Sequence, residues 1–162
     1  GGGRIVNISS MGGKLTFPGG GYYHASKHAL EALSDALRFE VAPFGVRVIV
    51  IEPGAILTKF ADTAIGTVDH PEDDGSPYSS FNQLLGLRIQ SAYEGTMAKV
   101  AASPPEAVAK VVEKALTARR PRTRYLVTAG ARLLVGLRKV LPDRAWDAML
   151  RSQYPQPQPR RD

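Results

Sequence analysis

The chain has 162 residues, of which 43% are hydrophobic and 22% charged, a composition typical of one soluble globular domain. It contains no cysteine, which excludes disulfides, zinc–thiolate sites and cysteine nucleophiles and favours a cytoplasmic location. The formal net charge of +6 is concentrated in residues 118–125 and at the C-terminus without a base-reading motif, so we expect a solvated basic face and no nucleic-acid partner. No apolar run approaches the ~18 residues of a membrane-spanning helix, and no signal peptide is recognisable.

The first third of the chain predicts a strand, a helix and a second strand. The run RIVNIS, residues 4–9, is rich in β-branched residues and preceded by glycines, as buried strands are. The run VRVIVIE, residues 46–52, is nearly continuous in apolar character, which is typical of parallel strands covered on both faces. A helix is indicated between them over residues 22–42, and this βαβ order predicts an α/β fold. We expect the helix to pack on the sheet through an apolar stripe of Leu30, Leu33, Leu37 and Val41.

The remainder predicts an irregular segment, three helices and one strand. Residues 56–102 show poor periodicity and polar clusters, so we expect a long loop with short helical pieces. A capping box at residues 103–106, with proline at the first helical position, predicts a helix that ends near Arg119. The run RYLVTA, residues 124–129, is a third strand candidate, and two helices separated by Pro142 should follow it.

The domain organisation follows from this pattern. We assign residues 1–153 to one domain and residues 154–162 to a disordered, basic Pro/Gln-rich tail. The first predicted strand has no evident partner on its outer side, and an apolar edge strand favours aggregation. We therefore expect either that another chain covers this edge or that the sheet begins earlier in a longer polypeptide.

Polar side chains follow the carboxyl ends of the first two strands. Tyr23 and Lys27 are four residues apart and therefore share one face of the helix. An unperturbed tyrosine titrates near ~10, but an adjacent ammonium favours the phenolate, so the pair is suited to exchange a proton. Ser10 follows the first strand, and Pro53 and Gly54 follow the second, where open α/β sheets bind ligands. The sequence therefore predicts a reaction site at this edge of the sheet.

These residues, in this order, resemble the short-chain dehydrogenase/reductase family. The resemblance rests on NISS, with Ser10 thirteen residues before Tyr23, on YHASK, which carries a Tyr-x-x-x-Lys pair, and on PGAILT after the next strand. It covers at least residues 4–58. It implies a Rossmann-like parallel sheet with flanking helices. It also implies an oxidoreductase that transfers hydride between NAD or NADP and a small-molecule carbonyl or alcohol substrate.

The resemblance also implies a role for each matching residue. Tyr23 would be the general acid or base, and Ser10 would hydrogen-bond the reacting oxygen. Lys27 would hold the nicotinamide ribose and lower the pKa of Tyr23. Besides Tyr23 and Lys27, the implied cofactor-binding residues are Pro53 and Gly54, which let the chain pass close to the nicotinamide, Ile56, which offers backbone contacts to its carboxamide, and Thr58, which offers a hydroxyl.

The sequence also departs from the family pattern. No G-x-G-x-x-G fingerprint, no Asn-Ala-Gly stretch and no residue that would select NAD or NADP is present. We therefore expect the C-terminal portion of a dehydrogenase, beginning at about the fifth strand of seven and inactive alone, whose longer enzyme is a homo-oligomer. The irregular stretch after Thr58 matches the family's substrate lid, where FNQLLGL suits a lipid-, steroid- or retinoid-like substrate.

Other interpretations of the chain remain open. It could be a non-catalytic remnant or interaction module that binds a partner through its open sheet edge. It could also be an epimerase or dehydratase relative, because the Tyr-x-x-x-Lys pair serves those enzymes too.

Individual residues have simpler interpretations as well. His24 and His28 are expected on the helix surface rather than in a metal site, since no acidic third ligand is evident. Tyr22 is expected to serve in packing, and Thr58 could cap a helix. The basic, leucine-rich residues 131–144 could contact a membrane surface, although we expect the leucines to close the core.

Overall fold

The computed structural model describes residues 2–66, 76–94, 102–154 and 156–157. The strands are β1 (Gly3–Ile8), β2 (Val46–Glu52) and β3 (Arg124–Leu126). The helices are α1 (Gly21–Glu40), α2 (Phe60–Gly66), α3 (Ser79–Glu94), α4 (Pro105–Thr117), α5 (Ala129–Val140) and α6 (Asp143–Gln153). Short 3₁₀ turns span Met11–Gly13 and Ala42–Phe44.

The three strands form one parallel sheet in the order β1-β2-β3. Strand β2 lies in the middle, and its residues from Val48 to Glu52 are buried, as its continuous apolar run predicts. The fold is therefore α/β and Rossmann-like, which confirms the predicted class. Strand β1 pairs on one side only within the described residues, and Ile5 and Ile8 on it are 36% and 45% exposed.

Helices cover both faces of the sheet. Helix α4 packs beside β1 and β2, and the Arg4 guanidinium of β1 donates to its C-terminal carbonyls at Ala115, 2.6 Å, and Ala118, 2.7 Å. A second core lies between α5, α6 and the loop after β1, where burying large apolar side chains stabilises the C-terminal half. The core between β2 and α4 has the buried residues Ile49, Ile51 and Ala115. The second core has the buried residues Leu15, Val135 and Trp146.

Helix α1 turns a polar side toward the sheet, and the predicted leucine stripe is confirmed only in part, since Leu30, Leu37 and Val41 are half-buried. The buried residues of α1 are His24, Glu31 and Ser34, whereas Leu33 is 60% exposed. The polar side is tolerated because its groups find partners: the Asn7 amide of β1, for example, donates to Ser34 Oγ at 2.9 Å. Helix α1 is therefore held to the sheet by hydrogen bonds and charge pairs.

Two further expectations for the middle of the chain were wrong. The segment expected to be mostly loop contains α3, a helix of 16 residues whose weak amphipathicity hides it in the sequence. The predicted capping box does not form, because Ser103 instead makes a parallel bridge with Ile56, and α4 begins at Pro105 after Pro104.

The other predicted elements are present. The third strand is confirmed, though shorter than expected, and two helices do flank Pro142. Of the expected tail, Tyr154 is half-buried with its ring centroid 6.4 Å from that of Phe17, while residues 155 and 158–162 lie outside the described residues. Within the described ranges, no helix is both long and apolar enough to cross a membrane.

Candidate active site

Ser10 and Pro53 lie side by side because the pairing of β1 and β2 continues past the strand ends. The Ser9 N–H donates to the carbonyl of Ile51 and the Met11 N–H to that of Pro53, each at 2.8 Å. Ser10 has extended backbone geometry and caps the Met11–Gly13 turn. The carboxyl edge of the sheet therefore presents the Ser10 hydroxyl next to the backbone of Pro53.

The hydrogen bonds of Ser10 leave its hydroxyl proton weakly engaged. Ser10 Oγ accepts from the Gly12 N–H at 3.0 Å, and it donates to the Pro53 carbonyl only over 3.5 Å. A hydrogen bond of that length is weak. The Ser10 side chain is 9% exposed, so its orientation is set by these neighbours.

Tyr23 lies in the first turn of α1, beside the loop that follows Ser10, as the sequence predicted. A Cβ placed on Gly12 would lie 3.3 Å from Tyr23 Cε1, which shows how closely the loop passes the ring. The half-buried ring of Tyr23 also lies 5.3 Å from the Phe60 ring, centroid to centroid. Tyr22, in contrast, is 98% exposed, so its expected packing role was wrong.

Lys27 lies next to Tyr23 and reaches the end of β1. Its Nζ is 5.8 Å from the centroid of the Tyr23 ring and donates to the carbonyl of Ile8 at 3.2 Å. The structure thus brings together Ser10, Tyr23 and Lys27, three residues that sequence reasoning placed at one site.

An open, apolar groove of about 730 Å³ runs from the end of β1 past the segment that follows β2 to α4. Three of the predicted cofactor-binding residues, Pro53, Ile56 and Thr58, line it together with Ile8 and residues of α4. The Thr58 hydroxyl accepts from the N–H of Phe60, the first residue of α2, at 3.3 Å, which is a local turn contact two residues along the chain. The groove therefore opens at the carboxyl end of β1, where the Ile8 carbonyl accepts from Lys27.

Gly54 is not part of the groove lining and is tightly packed on its other side. A Cβ at Gly54 would collide with Thr128 Oγ1 and lie 3.0 Å from the Cβ of Ala131. Thr128 caps α5 through its hydroxyl, which accepts from the Ala131 N–H at 3.1 Å. The glycine is thus needed for α5 to approach the chain that follows β2.

A buried charge cluster beneath the site was missed by sequence reasoning. Glu31 Oε2 lies 2.8 Å from Lys14 Nζ and 3.0 Å from Arg124 Nε, and Glu52 Oε1 lies 3.3 Å from the same Arg124 atom. Arg124 also pairs with Asp35 at 2.6 Å. Glu31 is four residues after Lys27 on α1, and Glu52 immediately precedes Pro53, so the cluster joins the elements that carry the site.

The two buried carboxyl groups of the cluster titrate in opposite directions. Burial, with the nearby Glu31 carboxylate adding to it, raises the pKa of Glu52 from 4.5 to about 7. Burial also opposes ionisation of Glu31, but hydrogen bonds from Lys14 and Arg124 outweigh it and hold the pKa of Glu31 below its ordinary value. Near neutral pH Glu31 is therefore ionised while Glu52 is close to the midpoint of its titration, and the two share Lys14 and Arg124.

An aromatic wall, formed by Phe60 and Tyr93, lies beside Tyr23, and the sequence did not predict these two residues individually. Phe60 of α2 lies between Tyr23 and Tyr93 of α3, with a centroid distance of 6.5 Å to the second. Burial raises the pKa of the Tyr93 phenol, and the nearby Tyr23 adds to the rise. The wall belongs to the segment predicted to form a substrate lid.

His24 is buried, so its expected place on the helix surface was wrong. Its side chain is 7% exposed and contacts the Ser10 loop with both ring nitrogens. Burial lowers the pKa of His24, with His28 adding to the effect and the hydrogen bond to Gly12 opposing it. Because His24 is polar, no apolar pattern indicated that it lies on the sheet-facing side of α1.

Comparisons with known proteins give consistent results. The family model described as short chain dehydrogenase matches residues 1–67. The oxidoreductase YbbO of Escherichia coli is 38% identical over 149 residues, which cover 91% of this chain and 48% of that protein. Mouse retinol dehydrogenase 5 is 37% identical over 164 residues, which cover 96% and 50%. A solved short-chain dehydrogenase from Streptomyces avermitilis superposes with a TM-score of 0.60 at 27% identity, covering 92% of this chain and 48% of that one. The chain thus spans about half the length of the relatives it matches.

Proposed function

Because the chain belongs to the short-chain dehydrogenase/reductase family, we propose that it supplies the catalytic residues of an NAD(P)-dependent oxidoreductase that interconverts a carbonyl and an alcohol. The observation that carries the proposal is the convergence of Ser10, Tyr23 and Lys27 at the carboxyl edge of the sheet, beside an open groove. A serine hydroxyl, a tyrosine phenol and a lysine ammonium together meet the needs of proton transfer to an oxygen atom.

The donor set around the groove fits a nicotinamide and its ribose. The walls from Ile8, Pro53 and Ile56 are apolar, as the face of a nicotinamide ring requires, and Thr58 adds a hydroxyl at the rim. Lys27 lies next to the end of β1 with an ammonium able to hold ribose hydroxyls. We propose that these residues hold the nicotinamide half, and that a segment outside residues 1–162 holds the adenosine half, because the sequence lacks the dinucleotide fingerprint.

Each residue then has a defined task. When bound, the nicotinamide supplies or accepts the hydride. In the reducing direction the Tyr23 phenol gives its proton to the substrate oxygen, and in the oxidising direction the Tyr23 phenolate takes the proton back. Lys27 stabilises that phenolate by its charge. The Ser10 hydroxyl, whose lone pair is engaged by the Gly12 N–H, directs its own proton to the substrate oxygen.

We further propose an apolar substrate of the lipid, steroid or retinoid type. Phe60 and Tyr93 offer aromatic surface beside the Tyr23 ring, where the reacting end of a substrate would lie. One relative is named as a retinol dehydrogenase, and retinol belongs to this class of compound. An epimerase or dehydratase would use the same Tyr23–Lys27 pair, and product analysis separates those reactions from alcohol–carbonyl exchange.

A second candidate is an interaction module, and the exposure of Ile5 and Ile8 on the edge of β1 favours it. Titration of NADH and NADPH against residues 1–162 separates the two views. We expect weak binding or none by this chain alone, and binding after the polypeptide is extended upstream. An extended polypeptide that still does not bind either cofactor would favour the interaction module.

The test of catalysis uses two neighbouring tyrosines. In the polypeptide extended upstream, Tyr23→Phe should lower turnover of all-trans-retinal with NADPH or NADH by roughly 10²- to 10⁴-fold, because the general acid is lost. Tyr22→Phe is the matched control, since Tyr22 is 98% exposed, and it should leave turnover unchanged. Undiminished activity of the Tyr23→Phe protein would contradict the proposed function.

A further inference from the structure

We propose that His24 is a positioning residue, which orients the Ser10 hydroxyl relative to Tyr23 through the backbone of Gly12. The inference rests on the proposed function, since it concerns the serine of the same site. His24 follows Tyr23 directly in α1, and its ring lies 5.5 Å from the Tyr23 ring, centroid to centroid. The same helical turn therefore carries the proposed acid and the residue that holds the serine.

A continuous chain of hydrogen bonds connects His24 to Ser10. His24 Nδ1 lies 3.1 Å from the carbonyl oxygen of Gly12, and the N–H of the same residue donates to Ser10 Oγ at 3.0 Å. Gly12 is thus fixed on both sides. Because its N–H occupies a lone pair of the serine oxygen, the serine proton is directed elsewhere, toward the weak Pro53 contact or a substrate oxygen.

The two contacts of the ring fix its tautomer. The Gly12 carbonyl can only accept, so Nδ1 carries the proton, and the Phe17 N–H donates to Nε2 at 3.2 Å, so Nε2 is unprotonated. A neutral ring is required for both bonds. Burial lowers the pKa of His24, which favours that neutral form.

Two glycines hold the ring in place from opposite ends. A Cβ on Gly12 would lie 2.6 Å from Nδ1, and a Cβ on Gly20 would lie 2.8 Å from Nε2. Contacts that short force a displacement, so both positions have to remain without a side chain. Phe17 adds an edge contact at 6.0 Å between ring centroids. The imidazole is therefore clamped between the loop that follows Ser10 and the start of α1.

Positioning of this kind makes a specific prediction about two replacements. In His24→Asn the amide nitrogen occupies the place of Nδ1 and keeps the bond to the Gly12 carbonyl. In His24→Gln the amide reaches the place of Nε2 instead, so the Phe17 bond is kept and the Gly12 bond is lost. Only the second replacement should disturb Ser10. A merely structural histidine would show no such difference, because each variant loses one hydrogen bond.

The decisive experiment is a double-mutant cycle in the upstream-extended polypeptide, with all-trans-retinal as the probe. His24→Gln should lower kcat on the order of 10²-fold with little change in KM, because misplacement of a catalytic group acts on the reaction step. In a Ser10→Ala background the same replacement should lower kcat by less than about threefold, and His24→Asn should retain kcat within about threefold in either background. Equal losses from His24→Gln in both backgrounds would overturn the proposal.

Two NMR readouts test the inference without any turnover. The ¹⁵N shifts of the His24 ring should report a proton on Nδ1 and none on Nε2 at neutral pH, and an Nε2-protonated ring would overturn the proposal. Amide hydrogen exchange at Gly12 should accelerate in His24→Gln and stay slow in His24→Asn. If both readouts agree and Tyr23→Phe nonetheless leaves turnover intact, the proposed function fails while the positioning of Ser10 by His24 stands.

Discussion

Replacement of Glu52 by glutamine tests the buried charge cluster beneath the site. Glu52 is 2% exposed, and burial raises its pKa from 4.5 to about 7. A group whose pKa is higher in the folded state than in the unfolded chain stabilises the fold at low pH, and this stabilisation is lost as the pH rises from the unfolded-state pKa to the folded-state pKa. The contribution of Glu52 to the free energy of unfolding is therefore fully present below about pH 4.5, decreases as the pH rises to about 7, and is constant above that.

The magnitude follows from the same two pKa values. Each pH unit between them is worth about 1.4 kcal/mol, so the rise from 4.5 to about 7 corresponds to about 3 kcal/mol. Glutamine resembles the protonated carboxyl in shape and does not ionise. Glu52→Gln should therefore match the original protein near pH 4.5 and exceed its free energy of unfolding by up to about 3 kcal/mol at pH 8.

Urea unfolding at a series of pH values measures this difference directly. The lowered pKa of His24 acts below pH 6.5 in both proteins, so it does not contribute to the difference between them. Glu31, whose pKa is held below its ordinary value, is ionised above about pH 4.5, and its repulsion of the Glu52 carboxylate is part of the predicted difference. Glu113→Gln, at an exposed position of α4, is the matched control and should follow the original protein at every pH. Parallel pH profiles for Glu52→Gln and the original protein, or a Glu52→Gln protein that is less stable at pH 8, would refute the reasoning.

Two further replacements test packing and charge. Gly54→Ala should lower the free energy of unfolding by about 1–3 kcal/mol, because its methyl group meets Thr128 Oγ1. Gly136→Ala in α5, where a Cβ would meet nothing within 4 Å, should raise the free energy of unfolding by about 1 kcal/mol. Equal effects of the two replacements would contradict the packing described. Arg124→Met should cost about 3 kcal/mol at pH 7, because the buried Glu31 carboxylate loses a partner, while exposed Arg151→Met should stay within about 0.5 kcal/mol. Urea unfolding measures both pairs, and an Arg124→Met loss no greater than that of Arg151→Met would count against the cluster.

The elements that the sequence predicted best are those with a local signal. Strand β2 has a continuous apolar run, and the proximity of Tyr23 and Lys27 follows from their spacing on one helix. Helix α1 was found at nearly the right bounds, since its formation depends on local periodicity and on Pro43 and Gly45 that end it. For such elements neighbouring residues carry enough information.

What the sequence could not show depends on contacts distant along the chain. His24, Glu31 and Ser34 have polar side chains that normally face water, and they are buried because Gly12, Arg124 and Asn7 supply their partners. Arg124 is 93 positions from Glu31, so no local pattern connects the two. The same cause explains why Leu33 was expected to pack on the sheet although it is exposed.

Helix α3 shows a different limit. Its apolar residues do not fall on one clear stripe, and Leu84 and Leu87 are 41% and 56% exposed. Periodicity detects a helix only when one side is buried and the other is not. A helix with apolar residues on several sides has no such contrast, which is why this segment was interpreted as a loop.

The most direct test of the central claim is the fate of the hydride. The upstream-extended polypeptide is incubated with all-trans-retinal and a reduced nicotinamide that carries two deuterium atoms at its hydride-donating carbon, and the product is analysed by mass spectrometry. Retinol that carries one deuterium on its alcohol carbon, formed by the original protein and by Tyr22→Phe and lost with Tyr23→Phe, is the result we predict. A product without deuterium, or deuterated retinol formed equally well by Tyr23→Phe, would contradict the account.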